Sequence, residues 1–198
     1  MKGRLTGSVA GAVLAAGAMA AAQAEDVGVL METSQGAIEL ELYPDKAPRT
    51  VDNFLTYVDE GFYDGTIFHR VIDGFMIQGG GYDTDYERKP TREPVPNEAD
   101  NGLKNEKGTI AMARTSDPHS ATAQFFINDA DNPNLDHRAR TARGWGYAVF
   151  GRVTDGMDVV ERISTQPTRV RSAGLRNVPE TPVVIERVTR IQAEEQGE

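Results

Sequence analysis

The chain contains no cysteine in its 198 residues. That excludes disulfides, thiolate nucleophiles and cysteine-ligated metal centres, and it is compatible with an oxidising compartment. Histidine is scarce: His69, His119 and His137 are the only three, and none stands at helical metal-ligand spacing from another. Basic residues are the minority, 21 Lys and Arg against 30 Asp and Glu, for a formal charge of -9. An acidic surface argues against non-specific binding to nucleic acid or anionic membranes. Long apolar runs are also missing. The one candidate, Val9 to Ala22, is Ala- and Gly-rich and about 14 residues long, short of the roughly 20 that span hydrocarbon. His119, Ser120 and Asp117 form no recognisable nucleophile motif. Asp129, Asp131 and Asp136 have part of the spacing of a calcium loop. Asn134, however, stands where that loop requires Gly, and Pro133 replaces a ligand.

What is present begins with a processing signal. Lys2 and Arg4 precede the Val9–Ala22 run, and Ala22-Gln23-Ala24 is an A-x-A cleavage site before Glu25-Asp26. Residues 1–24 are therefore expected to be a secretory signal peptide, residues 25–192 the functional domain, and residues 193–198 a disordered tail. Cleavage removes two bases and no acid, which moves the formal charge from -9 to -11. The expected location is the periplasm, with full secretion as the alternative. No membrane span remains after processing.

Short strands dominate the rest. Val27–Glu32 and Ala37–Leu42 alternate apolar with polar residues around a Thr33-Ser34-Gln35-Gly36 loop. A helix is expected over Pro48–Glu60, because Val51, Phe54, Leu55 and Val58 recur at i, i+3, i+4 and i+7. A polar, proline-bearing loop follows Gly79-Gly80-Gly81 to about Lys107, a length that is usually functional or mobile. Strands are expected over Thr109–Thr115, Gln124–Asn128, Tyr147–Val153 and Val183–Ile191, and a second helix over Met157–Ile163. Periodicity alone gives a mainly β chain with two helices; so many short strands suggest a closed antiparallel barrel with helices over its ends.

The most informative stretch is Phe68-His69-Arg70-Val71-Ile72-Asp73-Gly74-Phe75-Met76-Ile77-Gln78-Gly79-Gly80. Asp73-Gly74 is a strong hairpin signal between two apolar strands. Arg70 and Gln78 are polar intrusions, which a plain surface hairpin would simply turn outward. An ideal two-residue turn would set Arg70 opposite Ile77 and send Arg70 and Gln78 to opposite faces. Bringing them together requires a wider loop or a bulge.

This stretch closely resembles the signature hairpin of the cyclophilins, the cyclosporin-binding peptidyl-prolyl cis-trans isomerases. Gly108-Thr109-Ile110-Ala111-Met112-Ala113-Arg114 is similar to the family strand that lies along the substrate backbone. Gln124-Phe125-Phe126-Ile127 is similar to its Gln-Phe-Phe-Ile segment, and Phe150-Gly151 with Gly156-Met157 to its last barrel strand and helix start. The resemblance runs from Val29 to Ile191 and implies an eight-stranded barrel capped by two helices, of exported bacterial type.

It also implies a function: rotation of X-Pro bonds in exported polypeptides, assisting their folding. That barrier is about 20 kcal/mol, and turnover of 10 to 1,000 per second needs roughly 4–7 kcal/mol of transition-state stabilisation. No bond is broken, so no covalent intermediate, metal or cofactor is implied. Arg70 is the implied catalytic group, donating to the prolyl nitrogen as the amide twists, with Gln78 orienting it. Phe75, Met76, Phe126 and Leu135 match the family's proline cup. Ala113 and Arg114 pair with the peptide backbone, while Gln124 and Tyr147 line the wall. The partners implied are proline-containing unfolded or partly folded polypeptides, met by a monomer. Two departures stand out. Asn134 occupies a position that is Trp in members binding cyclosporin tightly, and Tyr147 one that is often His. The Arg138–Trp145 loop is longer than in compact members. A non-catalytic peptide-binding module using the same groove is the competing reading.

Overall fold

A computed structural model describes residues 26–191. The expected signal segment 1–24 and the expected disordered tail 193–198 lie outside the described residues.

Two hairpins and their connections organise the fold. β1 (Val27–Thr33) and β2 (Gly36–Leu42) pair antiparallel with Ser34-Gln35 as a two-residue turn. Their alternation buries Val29, Met31, Ile38, Leu40 and Leu42 and leaves Glu39 and Glu41 on the other face. α1 (Pro48–Asp59) follows, with Pro at its start and Val51, Phe54, Leu55 and Val58 buried. Its N-cap, Ala47, has no side-chain acceptor. Glu98 supplies one from the long loop, taking the amides of Arg49 at 3.2 Å and Thr50 at 2.8 Å. A carboxylate there also opposes the positive end of the helix dipole.

β3 (Thr66–Ile72) and β4 (Met76–Asp83) form the second hairpin. β5 (Thr109–Met112), β6 (Phe125–Asn128), β7 (Val149–Asp155) and α2 (Met157–Ser164) follow. Then come β8 (Thr168–Arg169), β9 (Val178–Pro179) and β10 (Val184–Arg190). Eight of these strands close into a barrel in the order β1-β10-β3-β4-β6-β5-β7-β2, every pair antiparallel. Closure leaves no free edge in the barrel. The expected fold class, a mainly β eight-stranded antiparallel barrel with two helices, is the observed one.

Three details differ. β5 stops at Met112 rather than Thr115. Ala113 still donates to the Gln124 carbonyl at 2.9 Å, but Thr115 turns away to the Ser120 hydroxyl. β7 begins at Val149, two residues after the expected Tyr147. β8 and β9 make a separate two-stranded ladder, too short to leave a periodic signal in the sequence.

The barrel interior is filled from both ends. Phe54 of α1 packs on Tyr63, Phe125 and Phe150 with ring centroids 5.0, 5.7 and 5.2 Å apart. All four rings are fully buried. Each is worth about 2–3 kcal/mol in area removed from water, and the near-perpendicular Phe54–Phe125 contact, at 83°, suits the ring quadrupoles. A second, smaller apolar cluster lies apart from this one, built on Met76, Ala111, Phe126 and Val149.

Candidate active site

The second cluster sits on the outer face of β4, β5, β6 and β7. Ile77, Ile110, Met112, Phe125, Ile127 and Phe150 point into the barrel, and the residues between them point out. The outward set would meet water were it not partly covered by the chain between Asn128 and Ala148. There a short turn, Pro133–Leu135, brings Leu135 over the sheet. The Tyr147 amide then donates to the Leu135 carbonyl at 2.9 Å, which closes the two side chains around one opening. Gly146 makes the close approach feasible. Its φ is +69, and a Cβ there would lie 2.5 to 2.6 Å from the backbone of residues 135–137.

The hairpin register delivers the polar pair. The β3–β4 loop has three residues, since Ile72 pairs with Met76, Val71 with Ile77 and Arg70 with Gln78. The extra residue, with Gly74 at φ +65, shifts the register by the one step that puts Arg70 and Gln78 side by side. A further irregularity between Phe68 and Arg70 lets Phe68 fill the barrel while Arg70 faces out. The Arg70 Nη1 donates to Gln78 Oε1 at 3.3 Å, and Gln78 Nε2 to Gln124 Oε1 at 3.1 Å. Arg70 also lies 3.8 Å from the Met76 sulfur and 5.9 Å from the Phe75 ring centroid. Its half-burial lowers its pKa from the usual guanidinium value, yet guanidinium remains a permanent cation in proteins.

Arg70, Gln78, Phe75, Met76, Ala113, Arg114, Phe126, Leu135 and Tyr147 surround a single cleft of about 220 Å³. Gln124 adjoins it through Gln78 and lines the neighbouring cleft instead. Thus nine of the ten expected site residues share one cavity, and the tenth is hydrogen-bonded to a member of it. Met76 and Phe126 are its buried floor, 1% and 4% exposed, while Leu135 and Tyr147 are its half-buried rim. The Phe126 and Tyr147 rings meet edge-on at 5.6 Å. Arg114 is held by the Gly146 carbonyl at 2.9 Å, with its guanidinium 4.6 Å from the Tyr147 centroid. No described residue accepts from the Arg114 amide.

Sequence reasoning missed the polar scaffold behind this cleft. Asp129 accepts from the Gly74 amide at 3.0 Å and from Ser164, and its own amide donates to the Phe75 carbonyl at 3.0 Å. Asn132 donates to the same carbonyl at 2.9 Å and to Asn128 at 2.7 Å. Together they fix the hairpin tip that carries Phe75. Asp131 accepts from the Lys107 amide and Asp136 from Asn105. The three carboxylates with partial calcium-loop spacing are thus engaged separately. No metal-ligand cluster occurs among the described residues. An Asn-Asp pair directly after Phe-Phe-Ile was the available signal. Trp145 lies outside the cleft, its ring between His119 and His137 at 4.9 and 5.2 Å, and Asn134 is exposed.

The family profile of cyclophilin type peptidyl-prolyl cis-trans isomerases matches residues 28–190. The chain belongs to the cyclophilin family. Peptidyl-prolyl cis-trans isomerase cyp18 of Streptomyces antibioticus is 61% identical over 158 residues, which is 80% of this chain and 95% of that protein. Peptidyl-prolyl cis-trans isomerase B of Escherichia coli is 56% identical, covering 81% of this chain and 98% of its own. Peptidyl-prolyl cis-trans isomerase A of Dickeya dadantii is 57% identical, covering 80% and 81%. Among solved structures, a cyclophilin type isomerase of Cryptosporidium parvum superposes with a TM-score of 0.69 at 26% identity, over 85% of this chain and 99% of its own. This cyclophilin is a peptidyl-prolyl cis-trans isomerase. None of its described helices is long and apolar enough to cross a membrane.

Proposed function

We propose that Arg70 is the catalytic group of this isomerase and that its substrates are exported polypeptides. The observation that supports the first part most is the guanidinium held by Gln78 beside an apolar cleft. A proline ring seated on Met76 and Phe126, between Phe75, Leu135 and Tyr147, exchanges water for apolar surface. The free Arg114 amide, with Ala113 beside it, pairs with the peptide backbone in extended form. As the amide twists, the prolyl nitrogen loses resonance with its carbonyl and regains a lone pair. Arg70 donates to that lone pair, which the planar ground state does not present, so the interaction favours the transition state. Gln78 and Gln124 keep the guanidinium aimed, so little reorganisation accompanies the twist. No proton is transferred and no bond is broken.

Arg70→Ala tests this role. A loss of one transition-state donor predicts a fall of about 10²–10³ in kcat/KM, with the folded structure retained because Arg70 is only half-buried. Arg70→Lys should restore little, since an ammonium lacks the planar fork. Full activity in folded Arg70→Ala would return the site to a passive peptide grip.

Export is supported by the basic start, apolar run and A-x-A site of residues 1–24. We place the mature monomer, residues 25–192 and the tail, in the periplasm. It acts on proline-containing unfolded or partly folded chains and does not bind nucleic acid. Envelope protein whose mass lacks residues 1–24 is the expected finding, and Met1 retained on that protein would contradict it.

A further inference from the structure

Two more clefts adjoin the proline site. One, about 350 Å³, shares Gln78, Ala113 and Arg114 with it and runs past Gln124 to Arg88, Lys89 and the hydroxyls of Ser120 and Thr122. The other, about 400 Å³, shares Arg70 and Gln78 and reaches Arg88 and Arg176 below His69 and Tyr82. Five cations therefore line one continuous groove: Arg70, Arg88, Lys89, Arg114 and Arg176. No Asp or Glu lines any of its three parts. The chain as a whole has the opposite balance, 30 acids to 21 bases.

The groove cations are also electrically uncompensated. The eight ion pairs among the described residues engage none of the five. Four of the five donate to neutral oxygens: Arg88 to the Tyr82 hydroxyl at 3.0 Å, Arg114 to the Gly146 carbonyl, Lys89 to the Phe62 carbonyl, Arg70 to Gln78. The nearest acidic run, Asp83 to Glu87, turns on itself. Asp83 accepts the amides of Asp85 and Glu87, each at 2.9 Å. A concave surface lined by one sign of charge focuses its field.

We infer that this groove selects prolines flanked by acidic side chains. The inference rests on the isomerase reading of the Arg70 site and names its substrate class. An extended peptide advances about 3.3 Å per residue. With a proline over Phe126, side chains one or two residues away therefore fall into the adjoining clefts. Carboxylates there meet Arg88, which lines both clefts, together with Lys89 in the first and Arg176 in the second. The net charge of -9 repels a long polyanion that extends beyond the groove, so a short acidic side chain is the ligand chemistry that fits.

The test uses three proline peptides differing only in Glu, Ala or Lys at the residues flanking proline. Their isomerisation is followed by NMR exchange, which needs no coupling protease. At low ionic strength the Glu peptide should exceed the Lys peptide about tenfold in kcat/KM, ~1.4 kcal/mol. The ratio should approach one in 1 M salt, where screening acts within about 3 Å. Lys89→Glu, which lines the first cleft alone, or Arg176→Glu, which lines the second alone, should reduce or invert the ratio, and the arm that responds assigns the cleft. Equal rates for the three peptides, or a preference unmoved by charge reversal, would overturn the inference. Failure to turn over the Ala peptide would instead count against the isomerase reading itself.

Discussion

The two faces of β4, β5, β6 and β7 use the same backbone for opposite ends. Inward residues such as Ile77, Phe125 and Ile127 are fully buried, closed in by α1 and the far strands. Outward residues such as Gln78, Phe126 and Ala113 meet only a partial cover, the Leu135–Tyr147 rim. The inner face is apolar and sealed, and it favours one packed arrangement. The outer face mixes a buried floor with a desolvated cation and leaves an opening. Period-two alternation thus lets a rigid core position a reactive surface with no loop between them. Phe125 and Phe126 are adjacent in sequence and carry the two roles.

His69 gives the largest way to strain this division. It is buried like the inner set, 5% exposed, but stands beside Arg70 and packs against Tyr82 with ring centroids 4.6 Å apart and planes tilted by 51°. Burial pushes its pKa down to about 4, the nearby Arg88 and Arg70 add to that, and a bond with the Ile67 backbone opposes it. Its Nδ1 has no hydrogen-bond partner among the described residues. The folded value lies below the ordinary 6.5, so the unfolded chain binds the extra proton between those limits. His69 therefore costs no stability above pH 6.5 and removes about 3 kcal/mol as pH falls from 6.5 to 4. Denaturant melts across that window should show the loss, and His69→Gln should flatten it. An unchanged slope in the variant would assign acid sensitivity elsewhere.

Asn134 sharpens the outer face with a smaller effect. It is exposed at the rim beside Leu135, and Trp145 is packed away between His119 and His137. A Trp at 134 would add apolar area and an indole donor, worth roughly 2 kcal/mol or about 30-fold in affinity. Asn134→Trp should tighten cyclosporin inhibition by that factor with little change in turnover. Tight inhibition of the unaltered protein that vanishes in Trp145→Ala would show that Trp145 reaches the rim in the complex.

Much of this was legible in the sequence because alternation and helical spacing are local. The Val51–Val58 stripe placed α1 to within a residue, and Ile38, Leu40 and Leu42 marked the buried face of β2. The residues that line the cleft were legible through family resemblance to the hairpin and the Gln-Phe-Phe-Ile run. Physics added one constraint, that Arg70 and Gln78 could meet only if the turn were not a two-residue one. The three-residue loop satisfies it. What stayed hidden depends on long-range partners. Glu98 caps a helix 48 residues earlier, Asp129 holds Gly74 across the sheet, and the groove cations converge from four separate segments. No local pattern records such meetings.

The most direct test compares Phe125→Ala with Phe126→Ala, measuring unfolding free energy and kcat/KM on one proline peptide. Phe125→Ala should cost about 3–5 kcal/mol, the price of an inner cavity that cannot collapse, while its folded fraction keeps most of its activity. Phe126→Ala opens onto a cleft that water already reaches, so it should cost less stability and at least about tenfold in kcat/KM, from a weakened proline grip. Equal losses of activity in the two variants, or the larger loss from Phe125→Ala, would contradict the division of the sheet into a structural and a catalytic face.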